Sequence, residues 1–397
     1  MNAGVLIVIV AILVVIMIHE AGHFFAAKAF GFKATKFFLG FGPRIWSFKR
    51  GETEYGIAAI PAGGYVKIVG MNPYEEVPPE DQPRAYPNKP KWQRALVVLA
   101  GPATHWVVAL VLLTVATMTI GIQTDEPTNQ VNAISVRTEG STERTAAALA
   151  GIKPDDRIVA IDGEPTPEWD QISGYIRSHP DERATLTIER DGTETTVDVH
   201  FGKAIFNEEG DVVAYAGPGD EIREPQPGEE LTGFLGVEPA TRFDKKGLGG
   251  AIGSAGSQVW DATTSSFEGI GTIFGTVFNG DLLREVTGSG ERTIDEESAV
   301  GIVGFVRIAG DIFALGRLYD LILLIAQFTI LVGLMNLLPL PPLDGGHLAV
   351  VGYEAITGKT VDIRKMIPVA AAVIAFFLVL FFAVLYLDIF RPLSTGT

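Results

Sequence analysis

Apolar and polar residues are sorted along this chain into four long hydrophobic runs and the polar stretches between them. The first run begins at Ala3, and from Gly4 to Ile18 every residue is uncharged and, that glycine apart, aliphatic. Three more follow at Ala95–Ile122, Leu318–Leu338 and Ile367–Leu387. About 20 apolar residues suffice to cross a bilayer as a helix, so the pattern predicts four spanning helices at 1–30, 95–122, 318–338 and 367–387. A secretory leader would carry a basic start and a small-residue cleavage site, and the first run has neither, so it is expected to persist as a spanning helix.

The polar stretches have their own patterns. Residues 31–94 carry ten Lys/Arg against six Asp/Glu, an excess that keeps a short loop cytoplasmic and puts the N-terminus outside. Lys359, Arg364 and Lys365 do the same for loop 339–366, which places the C-terminus outside as well. Within the first loop, Glu54–Ile60 and Tyr65–Val69 flank Pro61-Ala62-Gly63-Gly64. That pattern predicts a β-hairpin, apolar enough to associate with the membrane or to remain an ordinary cytoplasmic turn.

Segment 131–201 reads as a soluble α+β module. Arg157–Gly163 has the pattern of a strand and turn, Trp169–Ser178 of a helix, and Ala184–His200 of two strands joined at Asp191-Gly192. Ala146 to Asp156 resembles the helix and loop that lead into a strand of PDZ domains, which bind peptides by strand addition. A spacer without a ligand would have the same composition. Residues 202–317 are expected to be linker and amphipathic helix. Asn207–Leu231, rich in Pro, Gly and Glu, is expected to lack order. Trp260, Phe267, Ile270, Phe274, Val277 and Phe278 recur at helical spacing, which predicts a helix packed on a spanning segment or lying on the membrane surface. Gly288–Glu297 is expected to be a loop.

Composition narrows the chemistry. The 397 residues contain no cysteine, so any metal must be held by histidine and carboxylate. Of the net charge of −16, Gln123–Arg317 holds 35 acidic and 16 basic residues, which argues against nucleic acid as a partner.

Inside the first apolar run stands His19-Glu20-Ala21-Gly22-His23. On a helix, histidines four apart share a face and can share a metal, with Glu20 one step round beside it. Three ionisable residues within five positions of a membrane segment are costly to keep as mere packing. The third run ends in Asn336-Leu337-Leu338-Pro339-Leu340-Pro341-Pro342-Leu343-Asp344-Gly345-Gly346-His347, where three prolines break the helix and Asp344 is the natural third ligand. Asp344 could instead be a helix-capping or turn carboxylate, and His347 could take its place or support it. His105, inside the second run, reads as a hydrogen-bonded interior residue. Three protein ligands would leave a fourth zinc position for water, whose proton Glu20 can accept as a peptide carbonyl is attacked. A substrate helix must unwind locally to expose that carbonyl.

Taken together these residues resemble the site-2 protease family of intramembrane zinc metalloproteases, in its bacterial PDZ-containing, regulator of sigma-E protease-like branch. The resemblance rests on the His19–His23 motif, Gly40-Phe41-Gly42-Pro43, Glu52–Gly56, Gly63–Lys67, Ala100-Gly101-Pro102, the PDZ-like module and Asn336–Gly346. It implies a polytopic α-helical membrane protein with four transmembrane helices, a membrane-associated β-hairpin and an extracytoplasmic α+β PDZ-like domain. It further implies Zn2+ on His19, His23 and Asp344, Glu20 as catalytic carboxylate, and Asn336 as a substrate contact. The implied function is regulated intramembrane proteolysis within the lipid bilayer, cleaving transmembrane segments of single-pass membrane proteins such as pre-trimmed anti-sigma factors. The family usually has asparagine where this chain has His105. An unwound substrate needs backbone partners, which the hairpin edge at Tyr65, Val66 and Ile68 is expected to offer. The exterior module is expected to exclude bulky ectodomains. A non-catalytic scaffold and a metal transporter are the competing classes, although a transporter would need more intramembrane polar groups than His105 and Gln327.

Overall fold

A computed structural model describes residues 3–72, 74–135, 144–209, 212–280, 301–314 and 316–390. Its helices are α1 (Ala3–Ala29), α2 (Lys91–Thr119), α3 (Ala146–Ala150), α4 (Trp169–Ser178), α5 (Leu248–Phe278), α6 (Ile302–Ala314), α7 (Leu318–Leu337), α8 (Asp344–Thr357) and α9 (Ile367–Phe390). The strands begin with β1 (Ala34–Arg50), β2 (Thr53–Ile68), β3 (Ile122–Ile134), β4 (Arg157–Ile161), β5 (Glu164–Pro165) and β6 (Arg183–Arg190). They continue with β7 (Thr193–His200), β8 (Gly202–Phe206), β9 (Val212–Ala216), β10 (Glu230–Phe234) and β11 (Val237–Asp244). Two compact units result, one of Met1–Ile120 with Lys245–Thr397 and one of Gly121–Asp244. The second holds 26 acidic and 10 basic residues, so the net charge of the whole chain resides there.

In the first unit, α1, α2, α7 and the helix ending at Phe390 are long and apolar enough to cross a membrane. Lipid gives helices no hydrophobic reason to associate, so close backbone approach through small residues has to hold them. A Cβ built on Gly22 would lie 2.4 Å from the Ala100 carbonyl oxygen, which shows how tightly α1 crosses α2. The helix expected from Trp260 to Phe278 forms within α5 and packs on spanning segments, again through small residues. Of its helically spaced large residues, Trp260, Phe267 and Phe278 are exposed, and the packed face is Ala251, Ala255, Ala262, Ser266 and Ile270. That face lies on α2 and α7, where Trp106 Nε1 donates to Thr263 Oγ1 at 3.0 Å and the Tyr319 hydroxyl donates to Gln258 Oε1 at 2.7 Å.

Buried charge fixes the remaining helices. Arg94 of α2 donates to Glu354 of α8 at 2.7 Å, and the Val361 amide satisfies the other carboxylate oxygen. Truncating one member of such a pair costs about 3–5 kcal/mol. Asp388 of α9 accepts from the Gly301 and Gly304 amides at the start of α6, complementing that helix end.

The hairpin read from Glu54–Val69 is not formed as expected. The two segments flanking Pro61–Gly64 do not pair with each other. Phe37 is paired with both Val66 and Tyr55, Phe38 with both Tyr65 and Gly56, and Leu39 with both Gly64 and Ile57. Residues 36–39 therefore lie between the two halves of β2, and the tight reversal is at Gly51 (φ 62°), between β1 and β2. Alternation shows that a segment is a strand, but not which strand it pairs with.

In the second unit the sheet order is β11-β3-β4-β6-β7, with β5 on β4, and a separate sheet runs β10-β8-β9. Asp191 (φ 51°) and Gly192 (φ 76°) make the left-handed turn between β6 and β7 that the Asp-Gly pair favours. The core gathers Val131, Ile158, Ile161, Ile172, Leu186, Ile188 and Phe201. The unit is wider than 131–201, because β3 and β8–β11 join it. Asn207–Leu231, expected to lack order, contributes β9 and the start of β10; its Val212, Val213 and Tyr215 are β-branched and aromatic strand formers that the surrounding Pro, Gly and Glu obscure. The loop expected at Gly288–Glu297 lies outside the described residues.

Candidate active site

One turn of α1 puts His19 and His23 on the same face, and the chain break after α7 delivers the third group. A Cβ on Gly345 would lie 2.1 Å from the Leu337 carbonyl oxygen, and one on Gly346 would lie 2.6 Å from the Pro341 nitrogen. Only glycines let the proline turn close so tightly, and the closure starts α8 at Asp344 against the histidines. Asp344 Oδ2 is 3.2 Å from His19 Nε2 and 3.3 Å from His23 Nε2, and the two Nε2 atoms are 3.1 Å apart. A tetrahedral zinc with ligands at ~2.0–2.1 Å separates them by roughly 3.3 Å, so this donor set fits that ion. Among the described residues this is the one His/Asp/Glu cluster with metal-binding geometry.

The far nitrogens of both imidazoles are tied down. His23 Nδ1 donates to the Val97 carbonyl at 2.8 Å, leaving the Nε2 lone pair aimed at the shared point. His19 Nδ1 lies 3.0 Å from His105 Nε2, and His105 is itself buried. Gly101 makes room: a Cβ there would lie 2.1 Å from His23 Nε2.

Glu20 stands beside the cluster, under the edge of β2. The Val66 amide faces its carboxylate, and a Cβ on Gly64 would come within 3.0 Å of Glu20 Cγ. The other residues singled out in the sequence are placed as follows. The Tyr65 ring stacks on Phe38 and Phe41, Val66 is half-buried, and Ile68 is buried with Phe24, Ala27 and Phe32. Asn336, one residue before the end of α7, is half-buried, and His347 lines a separate apolar cavity of about 240 Å3 with Met71, Tyr74, Pro341 and Val350. His347 is therefore outside the cluster. Sequence reasoning missed Val97 and Thr329, and it named Gly64 and Gly101 only within motifs, without their contacts to Glu20 and His23.

Comparison with known proteins agrees with this geometry. The family described as Peptidase family M50 matches residues 7–381. Zinc metalloprotease Rip1 of Mycobacterium tuberculosis is 30% identical over 380 residues, covering 92% of this chain and 89% of that protein. The Rip1 of Mycolicibacterium smegmatis is 32% identical over 381 residues with the same coverage, and Metalloprotease MmpA of Caulobacter vibrioides is 30% identical over 386 residues, covering 90% and 88%. A match of this extent, joined to a His-His-Asp cluster among membrane-spanning helices, shows that the chain belongs to peptidase family M50, the site-2 proteases, and is an intramembrane zinc metalloprotease.

Proposed function

We propose that His19, His23 and Asp344 hold the zinc and that Glu20 is the proton-transferring carboxylate in cleavage of single-pass membrane proteins, anti-sigma factors among them. The observation that carries this is the convergence of two Nε2 atoms and one carboxylate oxygen within 3.1–3.3 Å, with a carboxylate one residue away. Zinc bound there supplies Lewis-acid activation of a water and of the peptide carbonyl. Glu20 takes a proton from the attacking water and passes it to the departing amine nitrogen. The Val66 amide and Gly64 keep that carboxylate facing the cluster. The basic excess of 31–94 supports N- and C-termini outside and a site toward the cytoplasmic end of α1, so the cut should fall in the cytoplasmic half of a substrate's apolar segment. Mapping that cut tests the function.

Substrate held at this site must be extended, and unpaired amides in a membrane cost several kcal/mol each. Gly64–Ile68 pairs with β1 on one side only, which supports strand addition on the other, with the backbone of Tyr65, Val66 and Ile68 rather than their side chains as the contact. Asn336 would approach the substrate from the end of α7. Val66→Pro and Ile68→Pro should each depress cleavage with zinc content unchanged, and alanine at either position should be milder. Ile68 also packs in the core and the Val66 amide also faces Glu20, so a loss counts for strand addition only where both prolines show it with zinc content unchanged. Wild-type rates in the folded Val66→Pro protein would remove the strand-addition role.

The acidic second unit is the PDZ-like, extracytoplasmic part in this reading. Its β11 lies at the end of the sheet, and a groove of about 250 Å3 is lined by Trp169, Ile176 and Arg177 of α4 with Phe234, Gly236 and Val237. An edge strand facing a helix is the arrangement that accepts a peptide strand. Replacing the whole unit, residues 121–244, by a short flexible linker in the full chain should permit cleavage of substrates with untrimmed ectodomains, whereas an unchanged size limit would give this unit another role.

A further inference from the structure

We propose that His105, held by Thr329, is a positioning residue that sets the tautomer of His19 and so tunes zinc affinity. The inference rests on the reading of His19 as a ligand. His105 sits on α2 at 1% exposure and Thr329 on α7 at 0%, so no bulk water satisfies either one. His105 Nε2 is 3.0 Å from His19 Nδ1, and His105 Nδ1 is 3.1 Å from Thr329 Oγ1. A Cβ on Gly333 would come within 2.9 Å of His105 Cβ, so α7 closes on this imidazole and fixes its place. One hydrogen-bonded line thus runs from α7 through α2 to α1.

The two histidines of the cluster are not held in the same way. His23 Nδ1 meets a carbonyl, which can only accept, and its tautomer is therefore decided. His19 Nδ1 meets another imidazole, which can donate or accept. When Thr329 Oγ1 accepts from His105 Nδ1–H, His105 Nε2 is free to accept from His19 Nδ1–H, and His19 Nε2 presents its lone pair to the metal point. When the hydroxyl donates instead, the line runs backwards and the hydrogen of His19 sits on Nε2, where it blocks ligation. Zinc selects the first direction, and the relay makes that direction available without moving any heavy atom. A partner that orients a ligating histidine is worth about 10- to 100-fold in metal affinity.

The test is zinc affinity of the full-length purified protein, measured by competition with a chromophoric chelator, with thermal unfolding of the metal-free protein alongside. Glutamine carries an acceptor close to the position of Nε2, whereas leucine has none. His105→Leu should weaken zinc about 10- to 100-fold, His105→Gln should stay within a few-fold of wild type, and Thr329→Val should fall between them. Metal-free unfolding temperatures should fall in all three variants, since each leaves a buried polar group without its partner, but the loss of zinc affinity should follow the acceptor facing His19 Nδ1 rather than the loss of stability. Equal losses in His105→Leu and His105→Gln that track lowered metal-free stability would reduce His105 to packing and overturn the proposal. Should His105→Leu not fold, a wild-type affinity in Thr329→Val together with a large loss in His105→Gln overturns it as well. His19→Ala separates the two claims. If it keeps full zinc affinity, the ligand reading itself has failed; if it loses zinc while His105→Leu does not, only the relay has.

Discussion

Glu20→Gln is expected to retain zinc and to lose at least about a thousandfold in cleavage rate. The amide cannot take the proton of the attacking water or return one to the leaving nitrogen, and general acid–base groups contribute about 10²–10⁴-fold each time they act. None of the three ligand candidates is altered, and glutamine keeps the volume of the side chain under Gly64 and can still accept a hydrogen bond from the Val66 amide. Turnover of a purified membrane-segment substrate, measured with metal content on the same preparation, separates the two effects. Membrane fragments that accumulate in cells carrying Glu20→Gln would identify the substrates. Unchanged turnover would take the acid–base role from Glu20.

Asp344→Ala is expected to lower zinc content and activity together. Asp344 Oδ2 touches both histidine nitrogens, and its removal leaves two ligands and an open side on a site that sequence composition gives no thiolate to repair. The loss in affinity should exceed the ~10–100-fold typical of outer partners. His347→Ala should keep at least partial zinc occupancy, because His347 lies on the apolar cavity rather than in the cluster. Metal analysis of both variants decides the assignment. The reverse order would make His347 the ligand and Asp344 its support.

How much of this was legible in the sequence follows from how local each feature is. The helix face that joins His19 to His23 is set by a spacing of four, and the Asp-Gly turn between β6 and β7 by two residues, so both can be read without a fold. Asp344 was reachable because the proline-rich break after α7 marks the one place where irregular backbone would meet a polar group at membrane depth. The partners of the two histidines were not reachable. Val97 lies 74 residues from His23, His105 86 from His19, and Thr329 224 from His105. Only helix packing brings them together, through Gly22, Gly101 and Gly333. Strand pairing failed for the same reason: Gly63 and Gly64 look like a turn between two strands, while the segment that pairs with both strands comes before them in the chain. The α5 stripe gave the helix and its packing on spanning segments but not its whole packed face: Ile270 is buried, whereas Trp260, Phe267 and Phe278 are exposed and small residues make the contact.

The central claim is that this zinc site hydrolyses a peptide bond within the membrane, and the position of the cut tests it most directly. Purified wild-type protein reconstituted in vesicles with a labelled single-pass substrate should yield two fragments whose new ends, read by mass spectrometry, lie within the cytoplasmic half of the apolar segment. Both fragments should disappear when the metal is stripped by a chelator and return when zinc is restored. A cut confined to the substrate's soluble flanks, or fragments that persist in the stripped protein, would contradict the account.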